Sequence, residues 1–127
     1  MKHVKHDLKE RKREQKTTLV LRSLAAMLQR LALDEPALSK VFVTKVKLSG
    51  DYKICYVYFA TYGDPADFDE ALKVLKLYKP SMRRALAQDV GGRYTSDLMF
   101  LYDTAKEKER RVQELLDKVA QEKPEGE

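Results

Sequence analysis

The chain has 127 residues, enough for one domain and too few for two ordinary ones. Its formal net charge of +5 favours a polyanionic partner over a pocket for an acidic substrate or a neutral protein surface. The single cysteine, Cys55, excludes an internal disulfide and a cysteine-rich zinc site, and its apolar neighbours favour a buried thiol over a nucleophile.

Residues 1–16 are predicted to be a basic arm, with seven Lys or Arg residues against three Asp or Glu. The arm is almost wholly polar, so it is either a frayed extension of the next helix or disordered. Its cations would add nonspecific attraction to a nucleic acid: Lys9, Arg11, Lys12, Arg13 and Lys16. The sequence contains no signal-peptide core and no apolar stretch long enough to span a membrane. We therefore expect a cytoplasmic protein without a membrane partner.

A helix is predicted after the arm, and it opens a domain over residues 17–103. The chain contains no Gly or Pro from about Asp7 to Leu33. Apolar residues recur there at helical spacing: Leu21, Leu24, Leu28 and Leu31. Pro36 cannot continue a helix and restricts the residue before it, so the helix ends at Asp34-Glu35-Pro36.

Two β-strands are predicted next, over Val41–Leu48 and Tyr52–Thr61, because both segments are rich in β-branched and aromatic residues. Ser49-Gly50-Asp51 is typical of a tight turn, so the two strands should form an antiparallel hairpin. Even spacing places four tyrosines on one side of the second strand, where a half-buried sheet face is favoured over base stacking: Tyr52, Tyr56, Tyr58 and Tyr62.

Helical spacing returns from Ala66 to Val90 and is interrupted at Pro80. Because proline breaks or kinks a helix, two helices are predicted to meet at a kink formed by Tyr78, Lys79 and Pro80. A third strand is predicted at about Asp97–Tyr102, and residues 104–127 form a charged terminal helix and tail. The element order favours an α+β fold with a three-stranded sheet, helices on one face and an extra C-terminal helix.

This order is that of the type II KH domain, α-β-β-α-α-β, a common module for single-stranded RNA. An ordinary KH domain places a G-x-x-G loop between its two central helices. No two glycines stand three residues apart in this chain, so the usual KH contact with phosphates is disfavoured.

Five basic residues near the predicted kink are the main candidates for binding RNA. These residues are Lys73, Lys76, Lys79, Arg83 and Arg84. They lie within twelve positions that contain no acid, so contact with phosphates is favoured over an ordinary solvated helix face. Secondary candidates are Lys45, Lys47, Lys53 and Arg93.

Nothing in the sequence indicates an enzyme. The phosphate-binding glycine motifs are absent, and His3 and His6 have no third metal ligand nearby. The acids from Asp64 to Glu70 are typical of the first turn of a helix. We therefore expect no catalysis, no metal, no cofactor and no small-molecule substrate.

Three stretches together resemble the ribosome-binding factor A family. Residues 41–49, with Asp51-Tyr52-Lys53 and Val57-Tyr58, are similar to that family's first hairpin, V-T-V-T-x-V-x-x-S-x-D-L-K-x-A-x-V-Y. The run from Arg83 to Leu86 and then 93–100 resembles R-x-x-L followed by R-Y-T-P-E-L-x-F. Tyr102-Asp103 and the apolar positions of the terminal helix resemble the closing strand and helix.

Two departures distinguish this chain from the family pattern. Tyr78-Lys79-Pro80 stands where the family usually has Ala-x-Gly, which takes the place of the KH loop. Pro80 can supply a kink but lacks the bare backbone of glycine, and Ser96 stands where proline is usual.

The resemblance implies a non-catalytic factor, expected here as a monomer, that binds the immature small ribosomal subunit and its rRNA. It also implies a role in late maturation, including processing of the rRNA 5′ end. Two alternatives remain open: a generic KH-type protein that binds single-stranded RNA, and a protein-interaction module that uses the terminal helix.

Overall fold

The computed structural model describes the backbone at residues 2–91, 94 and 96–122, and the side chains over 7–91, 94 and 96–121. Three α-helices and three strands follow one another in the order α1 Lys2–Ala32, β1 Val41–Leu48, β2 Ile54–Thr61, α2 Asp67–Val90, β3 Asp97–Tyr102 and α3 Thr104–Glu122. A short 3₁₀ helix, Pro36–Lys40, joins α1 to β1. The α+β class and the KH-like arrangement are as predicted.

The sheet has the strand order β1-β2-β3, with β2 antiparallel to β1 and parallel to β3. Its first hairpin has a longer turn than predicted, because Tyr52 takes a left-handed backbone conformation (φ 61°) and does not begin the strand. Asp51 supports this turn by accepting hydrogen bonds from the Ser49 hydroxyl (2.8 Å) and the Lys53 N–H (3.1 Å). The second strand therefore begins at Ile54.

An irregularity at Thr44 keeps the three valines of β1 on one face. The pairing register shifts between Val43 and Lys45, as in a β-bulge. Val41 and Val43 precede the shift, and Val46 follows it, yet all pack in or against the hydrophobic core. Without the extra residue, the strict alternation of a strand would turn Lys45 toward the core.

Helices α1 and α2 cover one face of the sheet and enclose the core with it. The largest fully buried side chains come from α1, the 3₁₀ helix, the sheet and α2, and they include Leu24, Leu38, Val57, Phe59, Leu75, Leu86 and Leu98. Cys55 is also fully buried, which raises the pKa of its thiol and is consistent with a structural role.

Helix α1 begins at Lys2, so the residues predicted as a basic arm continue the helix in the structure. Its attachment to the hairpin depends on Arg13, whose guanidinium donates hydrogen bonds to the carbonyl oxygens of Leu48 and Ser49. The same guanidinium lies 4.8 Å from the centre of the Tyr52 ring, and the Lys16 ammonium lies 4.6 Å from it. These contacts tie the helix to the tip of the hairpin.

Helix α2 is one continuous helix with Pro80 inside it, so the prediction of two separate helices was wrong. Proline lacks only its own N–H, which removes a single interior hydrogen bond. Leu75 and Met82, on either side of Pro80, are both buried in the core. We attribute the continuity to this packing, which outweighs the local cost of an exposed proline.

Helix α3 starts at a side-chain cap and then leaves the domain. Asp103 accepts hydrogen bonds from the Lys106 N–H (2.9 Å) and the Thr44 hydroxyl (2.6 Å), which joins the first turn of α3 to β1. Arg110 donates to the carbonyl oxygen of Gly63 (3.1 Å). The apolar residues of α3 lie at helical spacing and are 55–63% exposed: Val112, Leu115, Leu116 and Val119. This apolar stripe has no partner within the described part of the chain.

Candidate nucleic-acid interface

The basic residues of α2 lie on the side of the helix that faces away from the core. At about 100° per residue, the five cations occupy a single arc of the helix surface. Lys73, Lys76 and Arg84 are exposed, and Lys73 makes a loose pair with Glu70 (3.6 Å). Lys76 and Arg84 have no ion pair among the described residues, so their charges are available to an external anion.

Asp97, the first residue of β3, reaches the other two cations of this group. Its Oδ1 lies 3.3 Å from the Lys79 Nζ and 3.8 Å from the Arg83 Nε. The sequence interval from Lys73 to Arg84 contains no acid, but the tertiary fold brings one in from a strand thirteen residues further along the chain. Sequence reasoning missed Asp97 because nothing local connects the start of a strand with the side of a preceding helix.

The environment of Asp97 keeps it ionised. Partial burial raises the pKa of its carboxyl group, but a hydrogen bond from the Leu98 N–H and the charges of Lys79 and Arg83 outweigh this effect. The net pKa lies below its ordinary value. At neutral pH, Asp97 therefore neutralises part of the positive charge that Lys79 and Arg83 would offer to a phosphate.

A groove of about 300 Å³ lies between the C-terminal half of α2 and the start of the third strand. Pro80, Arg83, Arg84, Ala87 and Ser96 line it. Two arginines at the edge of an open groove are suited to contact phosphates, because guanidinium groups bind phosphate oxygens in a bidentate manner. This groove and the exposed lysines of α2 form what we call the α2 basic surface: Lys73, Lys76, Arg83 and Arg84.

The three residues of the predicted kink point in different directions. Tyr78 faces α1 and donates a hydrogen bond from its hydroxyl to the Glu35 Oε1 (2.7 Å), which raises the pKa of the tyrosine. Lys79 faces Asp97, and Pro80 is exposed beside the groove. Of these residues, Tyr78 is half-buried, and its hydroxyl is engaged with Glu35 in the segment between α1 and the 3₁₀ helix.

The secondary candidates do not join the α2 basic surface. Lys45 and Lys47 are exposed on the face of the sheet opposite to the helices, and Lys53 is exposed in the hairpin turn. Arg93 lies outside the described residues. In the N-terminal part of α1, Arg13 and Lys16 are half-buried against the hairpin, whereas Lys9, Arg11 and Lys12 are exposed.

The described side chains include no group of three or more His, Cys, Asp or Glu residues that could hold a metal ion. His3 and His6 lie outside the described side chains. No helix in the described part of the chain is long and apolar enough to cross a membrane. The described part of α2 thus presents a cluster of exposed cations, two of which have no ion pair among the described residues.

The model of the family described as ribosome-binding factor A matches residues 12–116. This chain belongs to the ribosome-binding factor A family. The curated ribosome-binding factor A of Nitrosococcus oceani is 33% identical over 109 residues, covering 86% of this chain and 85% of that protein. That of Syntrophomonas wolfei is 28% identical over 117 residues, covering 91% of this chain and 95% of that protein.

Two structures of ribosome-binding factor A have a similar fold. The crystal structure of the protein from Thermus thermophilus has a TM-score of 0.60 at 29% identity, covering 70% of this chain and 93% of that chain. A homology model of the Thermus thermophilus protein, fitted into a cryo-EM map of a complex of 30S with that protein, has a TM-score of 0.57 at 30% identity, covering 70% of this chain and 92% of that chain. These similarities confirm the resemblance inferred from the hairpin and the third strand.

The ribosome-binding factor A match includes the whole sheet, α2 and most of α3, and it begins within α1 at residue 12. The α2 basic surface therefore lies inside the family domain. Lys9 and Arg11 lie before the matched region.

Proposed function

We propose that this protein is a non-catalytic assembly factor that binds the immature small ribosomal subunit through its rRNA. The observation that carries the proposal is the exposed row of Lys73, Lys76 and Arg84 on a continuous α2, beside a groove edged by arginine. Membership of the ribosome-binding factor A family supports it, as does the 30S complex into which the Thermus thermophilus homologue was fitted.

The expected contact is electrostatic. Lysine and arginine side chains that neutralise phosphates release counterions, so the binding constant falls steeply as salt increases. Lys76 and Arg84 are the most useful residues to test, because neither has an ion pair among the described residues. Arg83 is a weaker test, since it is partly engaged with Asp97.

The test is co-sedimentation of the full chain with small ribosomal subunits at moderate salt. The double variant K76E/R84E should bind about five- to thirtyfold more weakly, because two phosphate contacts become repulsive (about 1–2 kcal/mol in total). The matched control is K108E/K118E, which makes the same charge change at exposed positions on α3. Equal binding of wild type and a folded K76E/R84E would remove the α2 basic surface from the interface.

The finer parts of the proposal concern maturation. The protein, a cytoplasmic monomer, acts late in small-subunit assembly and supports processing of the rRNA 5′ end without cutting it, and it uses no cofactor or small-molecule substrate. Cells depleted of the protein should accumulate small subunits whose rRNA retains extra 5′ nucleotides. Complementation with K76E/R84E should restore mature 5′ ends less well than complementation with K108E/K118E.

A second candidate function is favoured by the apolar stripe on α3. Four exposed aliphatic side chains at helical spacing are typical of a helix that packs against another protein. If this were the main function, complex formation would resist salt and would be lost in L115E/L116E but not in K76E/R84E. A preference for free single-stranded RNA over whole subunits would instead indicate a generic KH-type function.

A further inference from the structure

The face of the sheet opposite to the helices carries two rows of side chains that run across all three strands. In the first row, Lys47 of β1 pairs with Tyr56 of β2, which pairs with Met99 of β3. In the second row, Lys45 pairs with Tyr58, and Tyr58 pairs with Leu101. Each row thus consists of a lysine, a tyrosine and an aliphatic residue from one edge of the sheet to the other. We call this surface the open sheet face.

The open sheet face is left uncovered by the helices that build the core. The residues between those of the two rows, including Val57 and Phe100, point to the opposite face and are buried against α1 and α2. Within the described part of the chain, α3 lies against the open face at its far corner, where Phe42 and Ala60 line a groove with it. The two tyrosines remain half-buried, and Met99 is 45% exposed.

The strand residues of this face carry a net positive charge, and Asp103, which follows β3, lies near Lys45. The three strands contain two lysines and one acid, and that acid, Asp97, is paired with Lys79 and Arg83 of α2. The Lys45 ammonium lies 4.7 Å from the centre of the Tyr58 ring. The exposed side chain of Lys45 therefore lies over the Tyr58 ring, at the position that a stacked base would take.

From this arrangement we propose that the open sheet face is a second RNA site, which binds two unpaired nucleotides of a single strand. Tyr56 and Tyr58 stack on one base each, and Lys47 and Lys45 contact the phosphates beside them. The inference rests on the proposed binding of rRNA, and it assigns the sheet a separate role from that of the α2 basic surface.

The geometry favours unstacked nucleotides. Alternate residues of a strand are about 7 Å apart, whereas successive phosphates of a stacked strand rise by about 3.4 Å along the helix axis. The rings of Tyr56 and Tyr58 are thus spaced for bases that have been separated from each other, as in a loop or a strand end. The aliphatic residues Met99 and Leu101 extend the apolar floor beyond the rings.

The test measures binding of the full chain to a fluorescent ten-nucleotide oligouridylate by anisotropy, and to small subunits by co-sedimentation. Y56L/Y58L removes both rings while keeping apolar side chains on the sheet, and Y56F/Y58F is the matched control that keeps the rings. We expect Y56L/Y58L to weaken oligonucleotide binding at least tenfold and Y56F/Y58F to stay within about twofold. Thermal unfolding of each variant verifies that it is folded.

A zero-length cross-link gives a second, independent readout. An oligonucleotide that carries 4-thiouridine should cross-link to the peptide containing Tyr56 and Tyr58 in wild type, and the cross-link should fall at least fivefold in K45E/K47E. The inference is overturned if wild type does not bind the oligonucleotide, or if a folded Y56L/Y58L binds as well as wild type.

The variants of the two surfaces separate this inference from the proposed function. If K76E/R84E loses binding to subunits while Y56L/Y58L binds both RNA targets normally, the proposed function stands and the open sheet face is not an RNA site. If neither pair of substitutions affects subunit binding, neither surface contacts the subunit. The proposed function itself fails if wild type does not bind small subunits. A third result is that Y56L/Y58L weakens salt-resistant binding to subunits and leaves the affinity for the oligonucleotide unchanged. This result would indicate a protein partner on the open sheet face, and it also overturns the inference.

Discussion

Asp97 lies beside two of the five cations of α2, and replacing it with asparagine tests whether those cations contact phosphates. In wild type, its carboxylate is 3.3 Å from the Lys79 Nζ and 3.8 Å from the Arg83 Nε. The substitution D97N removes the negative charge but keeps an oxygen that can accept the hydrogen bond from the Leu98 N–H (2.9 Å in wild type). We expect D97N to bind small subunits more tightly than wild type.

The magnitude follows from the charges involved. A carboxylate about 7 Å from a bound phosphate repels it by about 0.5–1 kcal/mol at a dielectric constant close to that of water. Removing the carboxylate should therefore tighten binding about two- to fivefold at low salt. The cost to stability should be below about 1 kcal/mol, because the ion pairs of Asp97 are largely solvent-exposed and such pairs contribute little.

The assay is co-sedimentation or anisotropy at several salt concentrations, with D117N on α3 as the matched control for charge. If Lys79 and Arg83 take up a further phosphate, D97N should also show a salt dependence steeper by roughly one unit in the logarithmic slope. Binding by D97N that equals that of D117N and wild type would refute the reasoning, because the freed cations would then not face RNA.

Three further predictions concern stability. D103A should lower the free energy of unfolding by about 1–3 kcal/mol at pH 7, because it removes the N-cap of α3 and the acceptor for the Thr44 hydroxyl. Burial raises the pKa of Asp103, but hydrogen bonds from Thr44 and the first turn of α3 lower it more, so the folded value lies below the usual one. The stabilisation by Asp103 is therefore complete above about pH 4 and is lost at lower pH. Urea unfolding should show that the free energies of unfolding of wild type and D103A become equal at low pH. A difference that stays constant down to pH 2 would contradict this. P80A should raise the free energy of unfolding by about 1–3 kcal/mol, since alanine restores an interior helical hydrogen bond, and a lower melting temperature would show that the proline is needed for packing. L115E/L116E should change stability by less than about 0.5 kcal/mol, because both side chains are exposed, whereas a large loss would mean that the stripe packs within the chain.

The amino-acid sequence alone was enough to predict the fold class and, apart from the division of α2 at Pro80, the order of elements. Helical spacing of leucines before Pro36, β-branched runs around Gly50 and the strand Asp97–Tyr102 were all recognised, because each depends on local periodicity and turn residues. The family resemblance could also be recognised from the sequence, because the hairpin motif and the third-strand motif are each contiguous in the chain. The clustering of Lys73, Lys76 and Arg84 was also visible in the sequence, and all three are exposed in the structure.

Local reasoning was least reliable where packing opposes propensity. Pro80 predicts a break because the sequence shows only the lost hydrogen bond, whereas the burial of Leu75 and Met82 on either side is a property of the folded core. The β propensity of Tyr52 predicts the start of a strand, but its left-handed backbone belongs to a turn that Asp51 stabilises. Where the strand begins depends on the hydrogen bonds of the turn, and the propensity of a single residue does not describe these bonds.

What the chain determines by itself is thus the fold class and the type of most elements, because these follow from the spacing of neighbouring residues, whereas the continuity of α2 through Pro80 does not. The tertiary structure alone decides which charges meet. It brings Asp97 to Lys79 and Arg83, and it aligns Lys45 with Tyr58 across the hairpin. The physical reason is that strand register and helix packing are selected by burial of the core, and charged side chains at distant positions are carried together as a consequence.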